Sequence, residues 1–211
     1  MLININMNYD IGNKFCEALD STKIKLSGED DGRTESLNSE KEVTNCIGEK
    51  CSQIPGIEFL PKKDNRAFGD ITVLINGIEY HINVKMINYD ASGTYNGGGP
   101  SVFNFVLFGK KTTTWVALQK RVKENKPLKC VKKYYYLIYF KNSDKKSIFC
   151  SLGDLARESI QPNPSNPIQL RKDIKLVKRT PEEEAKFIIE LFEEVMFKRA
   201  EPYLKYTGAI A

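Results

Sequence analysis

Histidine is nearly missing from this chain: His81 is the only one in 211 residues, and five scattered cysteines (Cys16, Cys46, Cys51, Cys130, Cys150) include no CxxC pair. Paired-ligand zinc sites are therefore not expected, and an odd set of isolated thiols reads as reduced cysteine in a cytoplasmic protein. No apolar run approaches the length that spans a bilayer, so no membrane partner is expected. The opening MLININMNYD lacks a basic segment followed by an apolar one, and no secretory signal is read there. Internal repeats and low-complexity tracts are missing as well.

What is present suits a packed core: 41% hydrophobic and 10% aromatic residues, with 28% charged and a net charge of +5. The charge is unevenly placed. Lys110-Lys111, Lys120-Arg121, Lys132-Lys133 and Lys145-Lys146 crowd the middle, while acids gather in the N-terminal third and near the C-terminus. Several basic runs along one stretch point to a phosphate backbone as partner.

Periodicity and turn residues predict a helix over 9–19, a loop over 27–38 and a second helix over 39–52, with Ser39 as cap and Glu42 at the capping-box spacing. Strands are expected over 57–60 and 71–75. Asn76-Gly77 is the strongest short hairpin signal, and 78–87 is the returning strand. The glycine-rich stretch 88–100 reads as a loop, and 102–108 as either a strand or a buried helix. A helix over 111–124 follows, then a central strand over 133–141 with 147–150 pairing back. A short helix over 151–159, a rigid loop over 161–167, a strand over 168–177 and a long helix from Thr180 to about residue 200 complete the chain. The fold class is α/β (α+β), a mixed sheet flanked by helices. It is expected as a single domain over 1–211 with inserted loops at about 88–101 and 161–167.

The chemistry-bearing stretch is FGDITVLINGIEYHINVKM, residues 68–86. Alternation puts Tyr80, Ile82, Val84 and Met86 on one strand face and His81, Asn83 and Lys85 on the other. The hairpin brings Asp70, at the open end of the first strand, toward the far end of the second, so Asp70, Asn83 and Lys85 can converge. An Asp carboxylate binds Mg²⁺, a hard cation, and either the Asn83 side-chain oxygen or the Val84 carbonyl supplies a second oxygen. The Lys85 ammonium can orient or help deprotonate a water and balance charge building on phosphorus. This suits phosphodiester hydrolysis. A lone histidine is more often a packed residue than a base, and His81 is given no role.

Asp70 followed by Asn83-Val84-Lys85 resembles the PD-(D/E)XK nuclease core in the form found in type II restriction endonucleases. Gly69 stands where the motif has proline and Asn83 where it has an acid, a swap some members share. The resemblance implies a site-specific deoxyribonuclease that needs Mg²⁺ and no organic cofactor, and acts as a homodimer on double-stranded DNA. It also implies a helical glutamate steadying the metal-bound water, for which Glu42 is the candidate. Base-edge contacts are expected from Tyr95, Asn96, Ser101 and Asn104 around the glycine stretch, and phosphate contacts from Lys110, Lys111, Lys62, Lys63 and Arg33. The alternatives are a structure-specific repair or recombination nuclease, a non-catalytic DNA-binding protein on a degenerate nuclease fold, and an unrelated interaction domain.

Overall fold

Asn76 and Gly77 both take positive φ, 50° and 77°, as a two-residue hairpin turn requires to match the twist of its strands. The computed structural model describes residues 5–22, 32–52, 54–60, 68–90, 93–111, 113–125, 131–141 and 143–207, with backbone alone at 5–8, 32–37 and 39. In chain order the elements are α1 (Ile5–Asp20), α2 (Gly32–Cys51), β1 (Ile57–Leu60), β2 (Ile71–Ile75), β3 (Ile78–Asn88), β4 (Thr94–Gly98), α3 (Pro100–Phe108), α4 (Trp115–Glu124), β5 (Tyr135–Lys141), β6 (Ile148–Ser151), β7 (Ile160–Pro162), β8 (Ile168–Arg171) and α5 (Pro181–Tyr206). The chain forms two compact units, Met1–Ser92 with Tyr135–Ser151, and Gly93–Tyr134 with Leu152–Ala211.

The first unit holds a five-stranded mixed sheet in the order β1-β2-β3-β5-β6. β1, β2 and β3 form an antiparallel meander, β5 runs parallel to β3, and β6 returns antiparallel to β5. A parallel pair needs a crossover connection, and the stretch from Gly93 to Tyr134 supplies it. Helices α1 and α2 lie on one face, where Phe15, Leu19, Val43 and Ile47 meet Val73, Ile82, Val84 and Leu137. Each such fully buried side chain contributes about 1.5–3 kcal/mol relative to exposure. β5 is buried on both faces from Tyr135 to Ile138, so its sequence is a continuous apolar and aromatic run instead of an alternating one.

The second unit has an antiparallel sheet β4-β8-β7 with α3, α4 and α5. α3 resolves the open reading of 102–108 in favour of a helix: Pro100 opens it, Gly109 at φ 68° closes it, and Val102, Phe103, Val106 and Leu107 are buried. α5 begins with a capping box, in which Glu183 N–H donates to Thr180 Oγ1 at 3.2 Å and Thr180 N–H to Glu183 Oε2 at 2.8 Å. It continues past residue 200 and through Pro202.

Several expectations about elements change, among them the helix over 111–124, which starts at Trp115. The second helix starts at Gly32, so part of the expected loop is helical and Ser39 is an interior residue, not a cap. Packing of Val43, Cys46 and Ile47 carries the helix through a polar run of adequate helix formers. Within the stretch 88–100, expected as a loop, Thr94–Gly98 is a strand that pairs with β8, and residues 91 and 92 lie outside the described residues. Residues 151–159 form two single 3-10 turns, Leu152–Asp154 and Arg157–Ser159, instead of a helix. The last strand stops at Arg171, since its partner β7 is three residues long. Gln161 and Pro162 belong to β7, and the remainder of the expected rigid loop turns on Asn163, whose Oδ1 accepts from the N–H groups of Ser165 and Asn166.

Candidate active site

The register of the hairpin builds the site. Ile71 pairs with Ile82, and one step further out Asp70 faces Asn83. Asp70 N–H donates to Ile82 O at 2.9 Å, and the Asp70 carboxylate accepts from Val84 N–H, Oδ2 lying 2.8 Å away. A carboxylate accepting a backbone N–H is held in one orientation by a charge-assisted bond. Asp70 is thus more than the turn residue common at strand starts: its side chain is pinned against β3 at the motif.

Val84 is 3% exposed, its side chain in the core under α1 and α2. Asn83 and Lys85 therefore project from the opposite face, beside Tyr136 and Ile138 of β5 in the parallel register. Both are half-buried. The side-chain oxygen Oδ1 of Asn83 is buried with no hydrogen-bond partner among the described residues. A buried unpaired oxygen costs about 1–3 kcal/mol, and hydrogen-bonding potential is rarely left unused without a reason. The atom fits a hard-cation ligand, which is an oxygen with a free lone pair.

Glu42 lies on α2, which packs on the Val84 side of β3, so it does not share a face with Asn83 and Lys85. Its Oε2 is likewise buried without a partner among the described residues. Among those residues no group of three or more His, Cys, Asp and Glu side chains is placed to hold a metal. Any ion here relies on Asp70 together with amide or backbone oxygens.

His81 shares the Asn83 face but is 5% exposed. Its Nδ1 lies 3.3 Å from Thr72 Oγ1, its Nε2 3.4 Å from Glu79, and its ring edge-on to Phe68. It is a packed, hydrogen-bonded residue, as expected. Cys16, Cys46, Cys51 and Cys150 are free and buried, and Cys130 lies outside the described residues. Burial, with Asp20 and Glu17 nearby, pushes the Cys16 thiol from 9.0 up to about 12. Burial also raises Cys51. The Cys46 and Cys51 thiols face the carbonyls of Ala18 and Lys14 at 4.0 and 3.9 Å. Buried thiols of this kind are structural and inert.

The residues expected to touch DNA fare unevenly. Asn104 is fully buried in α3, where Nδ2 donates to Lys110 O at 2.7 Å, and it cannot read a base. Its amide holds the turn that follows α3. Ser101 exchanges hydrogen bonds with the backbone of Thr113. Tyr95 and Asn96 lie on β4, Tyr95 half-buried and Asn96 exposed with Oδ1 accepting from Gly98 N–H at 3.0 Å. The glycines of this stretch approach the protein itself: a Cβ on Gly97 would meet Ile168 Cγ2 at 2.8 Å, and one on Gly98, at φ +149°, would meet Val102 Cγ2 at 2.4 Å. Lys110 and Lys111 are exposed. Arg33 is in the first turn of α2 with its side chain outside the described residues, and Lys62 and Lys63 lie outside them entirely.

Sequence reasoning missed two features of the site. The Asp70–Val84 bond needs the hairpin register, which no residue pattern states. The neighbours Tyr136 and Ile138 were read only as core strand, and nothing local says which strand they lie beside. Compared with protein-family models and with curated proteins, the chain matches none. Among the described residues no helix is long and apolar enough to cross a membrane.

Proposed function

We propose that the chain is a type II restriction endonuclease of the PD-(D/E)XK kind, hydrolysing phosphodiester bonds of double-stranded DNA with Mg²⁺ as a homodimer. The observation that carries this reading is the unpartnered, buried Asn83 oxygen across the hairpin from an Asp70 carboxylate that Val84 N–H holds in place. The mixed sheet with helices on its face agrees with the layout that the motif resemblance implies. Asp70 and Asn83, or the Val84 carbonyl, would hold the ion; Glu42, on the other side of β3, is not placed to assist its water. When bound, Mg²⁺ polarises the scissile phosphate and lowers the pKa of a coordinated water. Val84 N–H holds the Asp70 carboxylate in one orientation, across the hairpin from Asn83. Lys85, on the Asn83 face, would hold the attacking water through its ammonium and offset the negative charge that grows on phosphorus.

A second reading, a DNA-binding protein on a degenerate nuclease fold, draws on one observation: Asn83 stands where the motif carries an acid, which takes one negative charge from the candidate ligand set. Plasmid digestion with and without Mg²⁺ separates the two. Discrete fragments that appear only with Mg²⁺ are the expected result, with Asp70→Ala and Lys85→Ala each abolishing them while DNA binding stays measurable. Wild-type cutting by either variant rejects the assignment. A ladderless smear would point instead to a nuclease that reads DNA structure.

A further inference from the structure

Helix α4 is built unlike the other helices of its unit. Leu118 alone among its residues is buried. At its start Thr114 Oγ1 accepts from Ala117 N–H at 3.2 Å, and the Arg199 guanidinium stacks 4.1 Å from the Trp115 ring. The helix is thus pinned by its first turn and one side chain. On the side opposite Leu118 the spacing i, i+3, i+4, i+7 aligns Val116, Gln119, Lys120 and Lys123, all exposed, with Val116 76% and Lys120 74% open. A surface helix gains nothing in stability from an exposed valine. Lys120 meets Glu124 at 3.8 Å, an exposed pair of little worth, and Glu124 is the lone acid between residues 100 and 133.

We infer that α4 is the element that enters the major groove of duplex DNA, with Val116, Gln119, Lys120 and Lys123 as its reading face. The inference rests on the proposed DNA-cutting role for its choice of polyanion. The major groove admits a single α-helix. Glutamine pairs with adenine through two hydrogen bonds, lysine reaches the acceptors of guanine or a phosphate, and a valine methyl packs on the thymine methyl. An anionic membrane would also attract lysines, but this face carries one apolar side chain, not the broad apolar stripe that seats a helix in lipid. The glycine stretch, where base contacts were expected, is committed to β8 and α3 instead.

The test is fluorescence anisotropy on a labelled mixed-sequence duplex without Mg²⁺, titrated at several salt concentrations between about 50 and 200 mM. Alanine is a good helix former and the sites are exposed, so Lys120→Ala/Lys123→Ala should fold normally by circular dichroism. That double variant should bind roughly tenfold or more weakly, and the slope of log K against log salt should fall by about two units. Lys186→Ala on α5 is the charge control and should change neither. Gln119→Ala should flatten preference among duplex sequences by about tenfold while leaving the salt slope intact. Unchanged affinity and slope in the double variant overturn the inference, and so does wild-type preference for phosphatidylserine vesicles or single-stranded RNA over duplex. A wild type that cuts DNA while the α4 variants bind like it sinks this inference and leaves the nuclease reading standing. Loss of binding in the α4 variants of a protein that never cuts does the reverse.

Discussion

Asn83 joins two demands that pull in opposite directions. A buried oxygen with no partner destabilises the fold, whereas a free lone pair on a rigid strand is what a cation site needs. Replacing it with leucine removes the unmet oxygen and keeps the forked shape, the added methyl bulk being tolerated at a half-buried position. Asn83→Leu should therefore match or exceed the wild type in stability by about 1 kcal/mol without Mg²⁺, and should not cut DNA. Asn83→Asp restores the acid of the motif, adds a charge to the site, and should lower the Mg²⁺ concentration needed for half-maximal cleavage. Thermal melting in EDTA checks the first variant and a Mg²⁺ titration of cleavage the second. A loss of more than about 2 kcal/mol in Asn83→Leu would mean that the amide is structural after all. At this scale much was legible beforehand. The Asn76-Gly77 turn fixes the hairpin, and period-two alternation assigns Val84 to the core and Asn83 and Lys85 to the other face. The carboxylate bond to Val84 N–H was not legible, because it depends on register and not on residue type.

Elements are misread where their stabilising contacts are remote. The glycines near residue 97 resemble a flexible connection, and locally nothing contradicts that. Their reason lies far along the chain: Thr94 donates to Gln169 Oε1 across a separation of 75 residues, and β8 backs onto Gly97 so closely that no side chain fits. Gly97→Ala should then act on stability. Forcing a Cβ between Ile168 and Leu170 should cost about 1–3 kcal/mol, seen as a lower urea midpoint at an unchanged m-value. Had the glycine served a DNA groove, the same substitution would leave the urea midpoint alone and weaken binding. The start of α2 was misplaced for a related reason. Its polar first turns carry no apolar stripe, and only the packing of Val43, Cys46 and Ile47 against the sheet decides that they are helical. By contrast Thr180-Pro181 and Glu183 announce α5 correctly, since a capping box is satisfied within four residues.

For the whole molecule, cutting a palindrome on both strands requires two copies related by a two-fold axis, each presenting the same patch to the other. For the proposed dimer, α5 is the candidate patch. Tyr203 and Tyr206, 76% and 92% exposed, lie three residues apart on one side of its last turns, and Glu182, Glu183, Glu190 and Glu193 lie toward its start while Lys198, Arg199, Glu201 and Lys205 lie near the tyrosines. Two antiparallel copies of the helix would set the acidic half of each against the basic half of the other, with the aromatic side chains between. Lys198 and Lys205 already pair within the helix with Glu194 and Glu201. Exposed pairs of that sort hold weakly and can exchange partners, so the aromatic surface must supply most of the affinity. Light scattering after size exclusion should accordingly give twice the 24.0 kDa chain mass. Tyr203→Ser with Tyr206→Ser should return a single chain mass while helix content by circular dichroism stays unchanged, and should lose double-strand cleavage with it. A wild type that remains a single chain at tens of micromolar would remove α5 as the dimer surface. The scission of a symmetric site would then need two monomers recruited by the DNA itself.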